Sequence, residues 1–134
     1  MKAVTTTIEP WLSVINSGKA VAFYKLAFEA AELFKMEAPD GSLVAQLAIG
    51  GASFWVSDES QEHGNFSPQT LGGKGTVRII LTVTDPDALF AQALAAGATQ
   101  VSTIAEEYGW RVGRVVDPFG HHWEIGRPVD STDN

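Results

Sequence analysis

The feature that most constrains this chain is an internal repeat. Two halves of the 134-residue sequence show the same order of predicted elements, with an offset of about 69 residues. At this offset Glu9 aligns with Arg78, and Trp55 aligns with Glu124. Each half predicts one strand, one helix and then three strands. We therefore predict an α+β fold, in which two tandem βαβββ units form curved mixed sheets around a cavity.

The first unit is predicted from alternating apolar residues that are separated by turn signals. Its helix is expected over Gly18–Phe28, with Ser17 as the N-cap. Its predicted strands are Thr7–Val14, Ala31–Glu37, Leu43–Ile49 and Ser53–Ser57.

The second unit repeats this order. Its helix is expected over Asp87–Ala96, with Thr84 or Asp85 as the N-cap and Gly97 at its C-terminal end. Its predicted strands are Val77–Val83, Thr99–Ile104, Arg111–Val116 and His121–Ile125. The whole chain, 1–134, is expected to be one domain, with the following parts: unit one at about 5–58, a linker or mobile loop at 59–75, unit two at 76–128 and a tail at 129–134.

Composition narrows the classes of partner. The formal charge is −7, and the nine Lys and Arg residues form no run, so nucleic acid and anionic membranes are not expected as partners. No apolar run approaches the roughly 18 residues of a membrane span. The absence of cysteines and of a signal-peptide pattern leads us to expect a cytoplasmic protein.

Strand alternation places the ionisable and aromatic candidates on the sheet faces that the helices leave uncovered. In the first unit these are Glu9, Trp11 and Trp55. In the second unit they are Arg78, His122 and Glu124. Trp110, in a loop that suits either a lid or an interface, completes the candidate ligand-binding set.

Each candidate has a structural alternative. Glu124 could act as a base and Arg78 could bind an anionic group, but an ion pair between the two is the favoured interpretation. Glu9 can be a solvated strand-start residue, and His122 a general base only if a partner orients it. Trp11 and Trp55 suit a stacking platform or a packing contact equally well.

His121 is expected to point to the other side of the strand from His122. Its alternation places it beside the core, where a hydrogen-bonded turn histidine is expected. His63, in the predicted linker, is expected to be solvated.

The repeat also suggests a family. The helix segment Ala22-Phe23-Tyr24-Lys25 and the ending Asp117-Pro118-Phe119-Gly120-His121-His122-Trp123-Glu124 resemble the vicinal oxygen chelate superfamily, which includes glyoxalase I, the fosfomycin- and bleomycin-resistance proteins and extradiol dioxygenases. The resemblance covers about residues 5–128. It implies a homodimer, in which unit one of one chain faces unit two of its partner.

The resemblance also implies where a metal would bind. Metal-using members place their ligands at positions that correspond here to Glu9, Trp55, Arg78 and Glu124. Trp55 cannot ligate a metal, and Arg78 puts a permanent cation where the family has a histidine. We therefore predict no metal cofactor; if a divalent metal binds, Glu9 and Glu124 are its expected ligands.

Two functions remain open at this point. The first is metal-independent binding of a small aromatic or cationic molecule in the cavity between units. The second is a divergent metal-dependent enzyme, a lyase or dioxygenase, of the same superfamily. The sequence does not decide whether the chain is an enzyme.

Overall fold

The computed structural model describes residues 1–129, and it contains two four-stranded mixed sheets. Their strand orders are β1-β4-β3-β2 and β5-β8-β7-β6. In each sheet the first strand is parallel to the last, and the other pairs are antiparallel. The strands are β1 Trp11–Val14, β2 Ala31–Glu37, β3 Leu43–Ile49, β4 Ala52–Asp58, β5 Ile79–Thr82, β6 Thr99–Glu107, β7 Trp110–Val116 and β8 His122–Pro128. This confirms the α+β class and the repeated βαβββ order.

The first strand of each unit is shorter than predicted. β1 begins at Trp11 and β5 at Ile79, so Glu9 and Arg78 both precede their strands. Pro10 has no N–H to donate, although its carbonyl accepts from the Trp55 N–H at 2.8 Å. The contact with the last strand therefore continues for one residue beyond the assigned β1.

Each unit contributes one helix, α1 Ser17–Phe28 and α2 Pro86–Ala96. The predicted cap of α1 is wrong: Asn16 Oδ1 accepts from the Lys19 N–H at 3.1 Å. Ser17 is buried, and its hydroxyl instead donates to Asp58 at 2.9 Å. Asp85 caps α2 as predicted, and Gly97 ends it with a φ of 124°.

The two units share one hydrophobic core. The helices pack against each other, and both contribute to a core that continues under the two sheets. Phe28 of α1 and Phe54 of β4 contact Trp123 of β8, with ring centroids 4.7 and 5.5 Å apart. The uncovered face of each sheet points away from this core.

Buried Asp117 ties the turn before β8 to the first unit. Its Oδ2 accepts from the Tyr24 hydroxyl at 2.5 Å and from Trp123 Nε1 at 3.0 Å. Its Oδ1 accepts the N–H groups of Phe119 and His121. Burial, reinforced by the neighbouring Asp117 carboxyl, raises the pKa of Tyr24 well above its ordinary value.

The segment predicted as a linker or mobile loop packs on the second unit. It contains a short 3₁₀ turn, Gln61–His63. Ser67 is fully buried, and its hydroxyl donates to the carbonyl oxygen of Phe119 in the second unit at 3.5 Å. Glu59 accepts from the Ser67 N–H at 2.9 Å. These contacts give the connection a defined path. Residues 130–134, most of the predicted tail, lie outside the described residues.

Candidate functional site

A row of side chains crosses the uncovered face of the first sheet. The backbone register places Trp11 opposite Trp55, Trp55 opposite Gln46, and Gln46 opposite Phe34. One residue from each of the four strands therefore lies on the same line. Phe34 and Gln46 are not among the predicted site residues, because those candidates come from the first and last strand of each unit in chain order, whereas Phe34 and Gln46 lie on β2 and β3.

Trp11 and Trp55 form a fixed aromatic pair. Their ring centroids lie 5.2 Å apart with an interplanar angle of 14°, which is a stacked arrangement. Trp11 Nε1 donates to Ser57 Oγ at 2.8 Å, so the indole orientation is set by a hydrogen bond. Phe34 approaches Trp55 with centroids 5.9 Å apart. Trp11 nevertheless remains 55% exposed, so this aromatic surface is open to solvent.

Glu9 is held beside this aromatic surface. Gln46 Nε2 donates to Glu9 Oε1 at 2.8 Å. Glu9 is therefore neither freely solvated, as one prediction had it, nor an ion-pair partner of Arg78. One of its oxygens already has a donor from this chain.

On the second sheet, Arg78 and Glu124 neutralise each other. Arg78 Nε donates to Glu124 Oε2 at 3.0 Å. This is the ion pair that the sequence favoured over separate functional roles. The Arg78 side chain is 57% exposed, so this contact contributes little to folding stability.

His122 has a partner that the sequence analysis missed. Arg114 of β7 donates its Nε–H to His122 Nδ1 at 3.1 Å, across the β7–β8 ladder. Burial first, and then the charge of Arg114, lower the pKa of His122 from its ordinary value. Because Nδ1 accepts this bond, the neutral imidazole carries its proton on Nε2. Alternation along β7, a middle strand, is the signal that would have placed Arg114 on this face.

The structure also places His121 and the segment around Trp110. His121 Nε2 lies 2.9 Å from the Ser13 carbonyl oxygen, which confirms a hydrogen-bonded turn histidine. The predicted lid loop is instead a tight β6–β7 turn, in which Tyr108 and Gly109 have φ values of 52° and 81°. Trp110 is the first residue of β7 and is 37% exposed.

A cavity of about 320 Å³ lies where the two units meet. Glu9 and Ile80 line it, together with core residues such as Phe54 and Trp123. The two tryptophans of the first sheet and the Arg114–His122 pair are not among its lining residues within the described part of the chain. One chain therefore presents the predicted site residues on two open faces rather than in one enclosed pocket.

The four positions that correspond to the family's metal ligands do not fit a divalent metal. Trp55 carries no ligating atom, and the Arg78 guanidinium occupies an oxygen of Glu124. Within residues 1–129 no group of three or more His, Cys, Asp or Glu side chains is arranged to hold a metal ion. No described helix is long and apolar enough to cross a membrane.

Comparison with known proteins supports the relationship that the repeat suggested. Residues 14–126 match the family model described as a glyoxalase-like domain. An uncharacterized protein of Mycobacterium bovis is 43% identical over 131 residues, which cover 94% of this chain and 86% of that protein.

Two solved structures share the fold. A gene product of Arabidopsis thaliana is 33% identical with a TM-score of 0.67, over 92% of this chain and 98% of that one. The fosfomycin resistance protein FosX of Listeria monocytogenes, in complex with Mn(II) and sulfate, has a TM-score of 0.69 over 95% of each chain. Its identity is only 16%, so this second likeness concerns the fold alone.

Proposed function

The chain belongs to the glyoxalase-like family of the vicinal oxygen chelate superfamily, and we propose that it binds a small planar aromatic molecule without a metal. The observation that carries this proposal is the stacked, hydrogen-bonded and solvent-open pair Trp11–Trp55. A rigid indole surface gains contact area with a planar ligand at little cost in side-chain entropy.

Of the two ligand classes predicted from sequence, the aromatic class has the better support. A cationic ligand would be held most strongly by a carboxylate without a counter-ion on these faces. Glu124 is already paired with Arg78, so the carboxylate left with its charge is Glu9, one oxygen of which accepts from Gln46. The Trp11 ring, in contrast, keeps much of its surface exposed, and Trp55 is partly exposed.

We further propose that a second copy of the chain completes the site. Large apolar side chains are exposed on the uncovered faces of both sheets, among them Trp11, Phe34, Met36, Ile80 and Trp110. Several large exposed apolar side chains on one sheet face are typical of binding or association sites. A crosswise homodimer would place the tryptophans of one chain opposite His122 and Glu124 of the other.

The test combines metal analysis with ligand binding. Protein purified without chelator is analysed for transition metals, beside the variant Glu124→Ala. We expect less than stoichiometric metal in both. Stoichiometric metal that is lost in Glu124→Ala would overturn the metal-free proposal and favour the enzyme alternative.

Ligand binding is followed by calorimetry with neutral 2-naphthamide as a planar probe. We expect Trp55→Leu to weaken binding by about tenfold, because stacking on an indole contributes roughly 1 kcal/mol or more. Phe66→Leu is the control, since Phe66 is an exposed aromatic residue of the inter-unit segment. Equal affinity in both variants would contradict a binding role for the tryptophan pair.

A further inference from the structure

We propose that Arg114 and His122 form a binding subsite for an anionic group, a carboxylate or a phosphate, carried by the planar ligand. This inference rests on the proposed function, since it assigns the second chemical feature of the same ligand and needs the crosswise dimer to bring the second sheet of one chain to the tryptophans of the other. It goes beyond that function because neither aromatic stacking nor the fold requires a charged ligand.

The first argument is that the charge of Arg114 is not neutralised. Arg78 pairs with Glu124, and Arg111 pairs with Asp87 and Glu106. For Arg114, no carboxylate oxygen within residues 1–129 forms a salt bridge; its side-chain hydrogen bond goes to an imidazole. A guanidinium that is partly removed from water without a counter-ion is unfavourable. An anionic ligand would supply the missing charge.

The second argument is that the donors are already oriented. Arg114 lies on β7, between β6 and β8, and it is half-buried. Its Nε–H is used by His122, which holds the plane of the guanidinium and leaves Nη1 and Nη2 for a further acceptor. These two nitrogens form the fork that recognises carboxylate and phosphate oxygens.

The third argument is that His122 adds a further hydrogen-bond donor beside those of Arg114. With Nδ1 accepting from Arg114, the neutral ring has its proton on Nε2. The pair thus offers hydrogen-bond donors from two side chains and no acceptor. Glu124 lies opposite Arg114 in the β7–β8 ladder, but its salt bridge is with Arg78, so the two arginines and one carboxylate keep a net positive charge.

The test uses three probes of nearly the same shape: 2-naphthoate, 2-naphthamide and 2-naphthamidine. Their dissociation constants are measured by calorimetry on the full chain at pH 7.5 and constant ionic strength. We expect naphthoate to bind about tenfold more tightly than naphthamide, because a carboxylate accepts from both guanidinium nitrogens and neutralises their charge, whereas an amide offers one neutral carbonyl oxygen. Naphthamidine should bind most weakly.

The variant Arg114→Gln should abolish the preference for naphthoate over naphthamide. Arg114→Lys keeps the charge but loses the fork, so it should retain part of the preference even if the glutamine variant folds poorly. The matched control is Arg127→Gln. Arg127 lies on β8 and donates to the carbonyl oxygens of Thr84 and Pro128, so its loss should not change the preference.

The outcomes separate the subsite from the proposed function. Equal naphthoate and naphthamide affinities, with both weakened about tenfold in Trp55→Leu, would overturn the anion subsite and keep the aromatic site. A preference for naphthoate that survives Arg114→Gln would also overturn the subsite. Absence of binding by all three probes would overturn both proposals.

Discussion

Asp117 shows at the scale of one residue how this chain connects its units. The carboxylate accepts from two backbone N–H groups, a phenol and an indole, and it is only 4% exposed. Tyr24 belongs to the first unit and Trp123 to the second. One side chain therefore satisfies the turn before β8 and joins it to α1.

We expect Asp117→Asn to lower the free energy of unfolding by about 3 kcal/mol, because an amide nitrogen would replace one acceptor oxygen and leave buried donors unpaired. Urea denaturation followed by circular dichroism measures this change. Tyr24→Phe removes one donor to the carboxylate and leaves no donor unpaired, so it should cost less, about 2 kcal/mol. A smaller loss for the asparagine variant than for Tyr24→Phe would contradict this account.

His122 provides a pH prediction at the same scale. Burial, Arg114 and His121 lower its pKa, while Asp117 opposes them. Burying a neutral histidine stabilises the fold fully when the pH is above the pKa of the unfolded state, near 6.5. This contribution is lost as the pH falls from that value through the lower pKa of the folded state. We expect its NMR titration midpoint to lie below 6.5, with the protein less stable below that pH.

Arg114→Gln should raise the His122 midpoint toward 6.5, because it removes the neighbouring positive charge but not the burial. Arg127→Gln should leave the midpoint where it is. A midpoint above 6.5 in the parent protein, or a midpoint that Arg114→Gln does not change, would show that the Arg114–His122 contact is not maintained in solution.

Gly113 shows at the scale of elements why β7 packs so closely under α2. A Cβ at this position would lie 2.7 Å from Phe90 Cε2 and 2.7 Å from Ile104 Cγ1. Such distances require the helix or β6 to move. The absence of a side chain is therefore what allows α2, β6 and β7 to meet.

We expect Gly113→Ala to lower the free energy of unfolding by about 2 kcal/mol through this overpacking. Gly51→Ala is the matched control, because a Cβ there meets nothing within 4 Å and its φ is not in the left-handed region. Thermal unfolding of both variants checks the difference. Similar melting temperatures would mean that α2 shifts at no cost.

The elements that the sequence predicted best are those with local signals. β2 and β3 have the predicted bounds because turn residues, Asp40-Gly41 and Gly50-Gly51, delimit β3 on both sides. The predicted start of β1, at Thr7, is wrong by four residues. The first residue of β1 depends on where pairing with β4 begins, which the local sequence does not show. Asn16 and Ser17 are equally good caps by type, so only the contact of Ser17 with Asp58 decides between them.

The candidate site was predicted less completely for a similar reason. The faces of Trp11, Trp55, Arg78 and Glu124 follow from alternation within single strands. The Arg114–His122 contact is diagonal across two strands, so it depends on their register. Gln46 meets Glu9 by the same kind of non-local pairing.

At the scale of the whole molecule, the two candidate faces belong to different units of a chain whose units pack through their helices. The tryptophan pair lies on the first sheet and the Arg114–His122 pair on the second. A ligand that uses both pairs therefore requires either a rearranged chain or a second copy. The crosswise dimer and the single-chain site predict different behaviour for mixed variants.

Co-expression of Trp55→Leu and Arg114→Gln chains, each with its own affinity tag, decides between them. In a crosswise heterodimer, the intact first unit of the Arg114→Gln chain faces the intact second unit of the Trp55→Leu chain. We expect calorimetry with 2-naphthoate to show one site of parental affinity per heterodimer, although each variant alone binds about tenfold more weakly. If each site lay within one chain, every site of the heterodimer would carry one of the two substitutions. A purified heterodimer that shows only weak binding would therefore exclude the shared site.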